Sequence, residues 1–563
     1  MSYAFGGQMP DWLAARAGLA PDRLALVAGD LRLTFSELDR RATRAARLLA
    51  GLGIGEGDRV AVFLRGAMPM AELVHGVARA GAVLVPLNAR LSPAEIAWQV
   101  EDIRACLLLY DSPHPPIPPS PPGERAEAPA PAPRRSPGDG GSLAPRRSPG
   151  DGGSPAHGRA GWAVGEAAPQ RDPRVRSEAR GGGEGLRALS IDDFYRGGEG
   201  ALAPRERIDL AAVHTIIYTS GTTGRPKGAM LTYGNYWWSA TGSALNLGLR
   251  EDDRWLAPLP LFHVGGLSIL MRGVIYGIPA LVHERFDPER VNQAIDEDGV
   301  TIVSVVAAML RRMLDARGDK PYPPALRHVL LGGGPAPLPL LEECARRGVP
   351  VVQTYGLTET ASQAATLAPA DATRKLGSAG KPLLPTQIRV ERDGASAAPG
   401  EVGELVVRGP TVTPGYADRP EETARALRDG WLHTGDLGYL DDEGYLYVLD
   451  RRDDLIVSGG ENVYPAEVEA ILLAHPAVAE AGVIGRDDAT WGQVPVAYVV
   501  PRPGASVTPD DLLLFCRGRL ARYKVPACVT LVDALPRNAA GKLLRRALRG
   551  RAGTVAVPPL NPR

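Results

Sequence analysis

The 563-residue sequence predicts an α/β protein: a large N-terminal domain built on a largely parallel sheet, followed by a smaller α+β C-terminal domain. Three observations carry this expectation. Helix-period and short apolar strand-like segments alternate, the chain is too long for one hydrophobic core, and a compact tail with its own strand and helix signals follows LDRRDD (449–454). In the first hundred residues, Thr34 and Glu37 have capping-box spacing. They open a segment whose apolar residues Leu38, Ala42, Ala45, Leu48 and Leu49 fall at helical intervals. VAVFL (60–64) and VLVPL (83–87) then read as buried strands. From about Ser112 the composition shifts to Pro, Gly, Ala, Arg and Ser, and APRRSPGDGGS occurs at 132–142 and again at 144–154. Such a segment buries too little apolar surface to offset its ordering entropy, so it reads as a disordered insertion that the fold can ignore. Alternation resumes near Ile208, for example in TIVSVVAAMLRRML (301–314) and LRHVLLGGG (326–334), and is expected to run to about residue 450. The tail carries AEVEAILLAH (466–475) as an amphipathic helix and AYVV (497–500) as a strand. The expected divisions are 1–111 and 191–452 for the large domain, 112–190 for the insertion, and 453–563 for the C-terminal domain.

Lys plus Arg and Asp plus Glu both number 64, which gives no electrostatic case for nucleic acid or an anionic membrane as main partner. The four cysteines form no CxxC pair and have no histidine at ligand spacing, so buried thiols are expected rather than a zinc site or a disulfide framework. MSYAFGGQMPDW has no basic segment followed by an apolar one. No run approaches the roughly 18 apolar residues of a membrane span. A cytoplasmic protein acting on small molecules is the expectation, and the oligomeric state is left open.

The stretch YTSGTTGRPKGA (218–229) follows a strand-like run, VHTIIY (213–218). Gly221, Gly224 and Gly228 permit close backbone approach, Thr219, Ser220, Thr222 and Thr223 offer hydroxyl donors, and Lys227 adds a positive charge. That combination suits phosphate oxygens. The Walker A pattern is absent from the chain, so this is not a P-loop of the usual kind.

The loop resembles the signature of the adenylate-forming superfamily, and companion motifs follow in the order of that family. They are PLFHVGGL (260–267), GGGPAPL (332–338), YGLTET (355–360), HTGDLGY (433–439), DRRDDLIVSGGENVYPAEVE (450–469) and PRNAAGK (536–542). Outside the insertion the resemblance covers nearly the whole chain. GNYWWSATGSALNLGL (234–249), HVGGLSILMRGVIYG (263–277) and LLGGGPAPLPLLE (330–342) are similar to the 2-succinylbenzoate CoA ligases of menaquinone biosynthesis, with ligases of fatty or other aromatic acids as the alternative.

The resemblance implies an AMP-forming acid–thiol ligase that uses ATP, Mg2+ and coenzyme A with a carboxylic acid. Under it, Glu359 binds the magnesium ion and Thr358 contacts phosphate. Ser220, Gly221, Thr222, Thr223, Thr219 and Lys227 hold the β and γ phosphates. Asp436 accepts bonds from the ribose hydroxyls with help from Arg451, while Tyr355 stacks on adenine and Gly333, Gly334 and Pro335 lie against the base. His263 stands beside the acyl carboxylate, Lys542 stabilises the adenylation transition state, and Asp453 is the hinge about which the C-terminal domain swings. The residue that meets a second substrate carboxylate is not evident from the sequence.

Overall fold

The computed structural model describes residues 7–89, 91, 93–111, 186–202, 205, 207–219, 226–334, 336–451, 454–458, 461–488, 491–537 and 543–552. Two mainly parallel sheets form the large domain. The first runs in the order Lys227–Thr232, Val213–Thr219, Val83–Pro86, Arg59–Phe63, Leu107–Tyr110 and Arg187–Ser190; only its first two strands pair antiparallel. In the second, six parallel neighbours run from Val351–Tyr355 through His328–Leu331, Ile302–Val305, Trp255–Ala257 and Ala280–Val282 to Leu24–Ala28, with short antiparallel strands at both edges. Strands buried on both faces must be apolar throughout, and RVAVF, VLVP and IVSV are buried almost end to end.

One core joins the sheets. Val60, Val62, Leu84 and Leu107 of the first share a cluster with Trp255, Val282, Ile302 and Leu330 of the second, around the helices Ala67–Arg79 and Val264–Tyr276. The helix Phe35–Gly51 buries Leu38, Ala42, Ala45, Leu48 and Leu49 as the spacing requires. Its capping box is complete: Glu37 N donates to Thr34 Oγ1 (3.2 Å) and Thr34 N to Glu37 Oε2 (2.9 Å).

Two expectations need correction. The chain between 387 and 451 is not α/β. It is an antiparallel sheet of Gln387–Arg392, Ala395–Ser396, Gly403–Arg408, Leu427–Arg428, Trp431–Leu440 and Leu446–Arg451, with one short helix, Pro420–Ala426. The signal was present in QIRVER, where Ile388 and Val390 are buried and their neighbours are not, the alternation of a sheet with one wet face. Residues before 191 also belong to the fold: Arg187–Ser190 forms a strand parallel to Leu107–Tyr110, because RALS can complete the edge that LLLY leaves open. The rest of the expected insertion, 112–185, lies outside the described residues. All four cysteines are free; Cys344 and Cys516 are buried, whereas Cys106 and Cys528 are only partly so.

The C-terminal region has its own sheet, Glu461–Val463, Ile456–Ser458, Gly492–Pro501 and Val478–Asp488, with Cys528–Leu531 parallel to Gly492–Pro501. Ile456, Val468, Leu472, Val483, Val499 and Leu512 make a core separate from the others. Among the described residues no helix is long and apolar enough to cross a membrane.

Candidate active site

In open α/β sheets, ligands gather where parallel strands end at their carboxyl sides. Three such ends lie side by side here, with Val305 in register with Leu331 and Leu331 with Gln353. From the middle strand emerges Gly332–Gly333–Gly334. Gly332 N donates to Val305 O (3.1 Å), a Cβ at Gly332 would stand 2.9 Å from Thr354 Cγ2, and Gly333 has φ +79°. Bare backbone therefore faces this edge because side chains do not fit. Pro335 lies outside the described residues.

The neighbouring strand continues into YGLTET. A Cβ at Gly356 would run into the Ser362 carbonyl, so the chain folds back tightly there. Thr360 Oγ1 accepts from Leu357 N (2.9 Å), closing the short helical turn Thr358–Thr360 that carries Thr358 and Glu359. Glu359 is held twice. Its carbonyl accepts from Thr413 N (2.8 Å) and its Oε1 accepts from the Tyr416 hydroxyl (2.9 Å).

The phosphate-loop candidate joins Val213–Thr219 to Lys227–Thr232, and its rim is described: Thr219 and Lys227 are cross-strand partners, with Thr219 Oγ1 3.5 Å from Lys227 O. Ser220, Gly221, Thr222 and Thr223 lie outside the described residues. Lys227 Nζ stands 5.4 Å from the centre of the Tyr416 ring, so the same tyrosine touches Lys227 and Glu359. The structure thus gathers these two predicted residues around a third that the sequence reading missed. Its signal was modest: Tyr416 follows Gly415 in TVTPGY, just past an apolar strand.

Asp436 and Tyr355 also meet. The Tyr355 hydroxyl donates to Asp436 Oδ2 at 2.8 Å, and both residues are more than nine-tenths buried. Tyr355 is thereby anchored by its hydroxyl as well as presenting a ring, a contact that spacing could not reveal. Asp436 N donates to Thr434 Oγ1 (3.0 Å), and Asp436 is in register with Arg451 on the next strand. Lys542 and Asp453 lie outside the described residues.

His263 caps the helix Val264–Tyr276, its carbonyl accepting from Leu267 N (2.9 Å) while its ring lies 4.6 Å from that of Phe262. Farther along that helix sits the second residue the sequence reading missed. Arg272 is 2 % exposed, lies 5.3 Å over the Trp255 ring, and has no carboxylate within ion-pair distance among the described residues. Its Nη2 donates to Ser239 Oγ (3.1 Å), and Ser239 Oγ donates to Ala361 O (2.7 Å), at the end of the Glu359 turn. Burial pulls the Arg272 guanidinium below its usual range. A lone charge within VGGLSILMRGVIY was the available signal, since such a helix places its charge in the interior.

Residues 13–417 match the AMP-binding enzyme family, and residues 467–542 match the AMP-binding enzyme C-terminal domain. The chain belongs to the AMP-binding enzymes. Among relatives of this AMP-binding enzyme, the 2-succinylbenzoate–CoA ligase of Geobacillus kaustophilus is 50% identical, the alignment covering 96% of this chain and 97% of that one. The corresponding protein of Bacillus cytotoxicus is 46% identical, over 96% and 98%. Among solved structures, the o-succinylbenzoate CoA synthetase of Bacillus subtilis in complex with its acyl-adenylate intermediate matches with a TM-score of 0.80 at 41% identity, over 96% of this chain and 98% of that one. The same protein with ATP and magnesium ion also matches with a TM-score of 0.80 at 41% identity, covering 96% of this chain and 100% of that chain.

Proposed function

We propose that this AMP-binding enzyme joins 2-succinylbenzoate to coenzyme A, releasing AMP and diphosphate, in menaquinone biosynthesis. The observation that carries the chemistry is the meeting of Lys227 and Glu359 at Tyr416, beside the glycine edge and the Tyr355–Asp436 pair. Substrate choice rests on the full-length relatives, which carry that activity in their names.

A substrate carboxylate oxygen attacks the α-phosphorus of ATP, the P–O bond to the β-phosphate breaks, and diphosphate leaves. The barrier lies in bringing one anion against another, so fixed cations and alignment do most of the work. Lys227 meets the outgoing phosphates, Thr358 and the hydroxyls of 219–223 donate to them, and Lys542 neutralises charge growing at the α-phosphate. Asp436 and Arg451 fix the ribose, and Tyr355 with Gly333, Gly334 and Pro335 borders the adenine. A magnesium ion suits Glu359. The carboxylate is a hard oxygen donor, and among the described residues no group of three or more His, Cys, Asp or Glu could cage an ion, so phosphate oxygens would complete its shell. When bound, the ion supplies positive charge across the phosphates.

Arg272 is our candidate for meeting the second carboxylate of 2-succinylbenzoate: what supports it is a buried guanidinium with hydroxyl and ring contacts and no acid partner among the described residues. His263, at the head of the same helix, stands beside the carboxylate that reacts. In the second half reaction the CoA sulfur attacks the acyl carbon, the thiol proton is lost, and AMP leaves. The C-terminal domain turns about Asp453 to admit the thiol, since one geometry cannot serve both steps. ATP and CoA as co-substrates support a cytoplasmic site of action.

The test is diphosphate exchange into ATP across a panel of 2-succinylbenzoate, benzoate and fatty acids, followed by thioester formation with CoA. Exchange and thioester are expected with 2-succinylbenzoate. Exchange without thioester, or preference for a fatty acid, overturns the proposal.

A further inference from the structure

We infer that Tyr416 is a positioning residue that aims the Glu359 carboxylate at the metal–nucleotide complex and keeps the Lys227 ammonium from neutralising it. The inference rests on the reading of Glu359 as the magnesium carboxylate.

Tyr416 is itself rigidly placed. Its strap is sewn to the strand that leaves the phosphate loop: Met230 N donates to Gly415 O (3.0 Å), Ala417 N donates to Gly228 O (2.9 Å), and Tyr416 bridges Ala229. Tyr416 N donates to Thr423 Oγ1 (2.9 Å). Farther along, Arg59 binds Asp418 at 2.6 Å, and Arg419 binds Asp102, which also accepts from the Tyr218 hydroxyl (2.8 Å). Gly415, at φ +143°, allows the strap its close approach, since a Cβ there would lie 2.5 Å from Thr423 Cγ2. On the strap's other side, Thr413 N holds the Glu359 carbonyl, so backbone and side chain of Glu359 are both referred to one frame.

The chemistry of the donor matters. A glutamate has three side-chain torsions to fix, and a donor on Oε1 fixes the carboxylate plane before the ligand arrives. A phenol does this without cancelling the charge, whereas a lysine or arginine at the same distance would form an ion pair that a metal ion must break. Lys227 is the cation at hand, yet its Nζ rests against the Tyr416 ring and no ion pair joins it to Glu359 among the described residues. The ring gives the ammonium a neutral resting place, leaving positive charge for phosphate and negative charge for metal.

The experiment measures the equilibrium Kd of ATP, with no acid present, in magnesium and in EDTA. The ratio of the two is the metal coupling, which unfolding or a general loss of nucleotide affinity does not mimic. Tyr416→Phe keeps the ring and removes the donor. It is expected to lower the coupling about 10-fold while changing Kd in EDTA less than about 2-fold, as loss of one charge-assisted hydrogen bond implies. Tyr416→Leu removes the ring as well and is expected to weaken binding in EDTA by about 2- to 5-fold through Lys227. Glu359→Gln separates the two layers of the argument. If it abolishes the coupling while Tyr416→Phe retains the wild-type value, the positioning role is wrong and the Glu359 reading stands. If Glu359→Gln also retains it, the Glu359 reading falls and the inference falls with it.

Discussion

Replacing Asp436 with Asn tests its proposed place in the nucleotide site. The Tyr355 hydroxyl donates to Asp436 Oδ2, and both residues are largely buried. In the variant the same hydroxyl claims the amide oxygen, so the amide nitrogen takes the place of Oδ1, and the acceptor proposed for the ribose becomes a donor. Hydrogen bonds to a charged acceptor are worth about 1.5–3 kcal/mol against about 1 kcal/mol for neutral ones, so two ribose contacts lose about 1–4 kcal/mol. That corresponds to a Kd for ATP weaker by roughly 5- to 850-fold. Calorimetric titration with ATP and with 2′,3′-dideoxy-ATP isolates the contact: the variant should lose affinity for the first and bind the second as the parent does. Equal losses for both nucleotides would refute the ribose assignment, and no loss for either would show that Asp436 serves only to hold Tyr355.

Lys542→Ala should slow adenylation about 100- to 1,000-fold, the usual cost of one charge-stabilising donor, while thioester formation from preformed acyl-adenylate proceeds at the parent rate in stopped-flow assays. Arg272→Met should lower kcat/KM for 2-succinylbenzoate about 10- to 150-fold but leave benzoate adenylation, measured by diphosphate exchange, nearly unchanged. Burial lowers His75 to about 4 and His214 to about 3; at His75 the Asp11 carboxylate works against burial and the Arg79 guanidinium works with it. Between about pH 6.5 and those values the unfolded chain takes up protons that the folded one refuses. The stability is therefore complete above about pH 6.5 and falls on acidification by about 1.4 kcal/mol per pH unit for each histidine. Urea midpoints from pH 7 to 4.5 should show this slope, and His214→Phe should remove one histidine's share. Replacing residues 113–184 with about 15 Gly/Ser residues should preserve adenylation, whereas a three-residue join should lower the melting temperature, because parallel strands need a crossover of about a dozen residues.

That last prediction shows how sequence and structure divide the work. The sequence by itself determined the local elements: the Thr34–Glu37 box and the apolar spacing of Phe35–Gly51 specify a capped helix wherever it lands, and runs such as RVAVF specify buried strands. It also determined the chemical inventory, since a loop of hydroxyls, glycines and Lys227 suits phosphate in any fold that exposes it. Pairing partners are another matter, because they depend on residues hundreds of positions apart. Nothing in RALS announced a parallel partner at Leu107–Tyr110 across the intervening segment. Nor could spacing show that Tyr416 would stand between Lys227 and Glu359, or that Arg272 would be tied through Ser239 to the Glu359 turn. Local propensity acts over a few residues, whereas the position of a charge relative to another is set by packing across the whole core. Only the tertiary structure decides it.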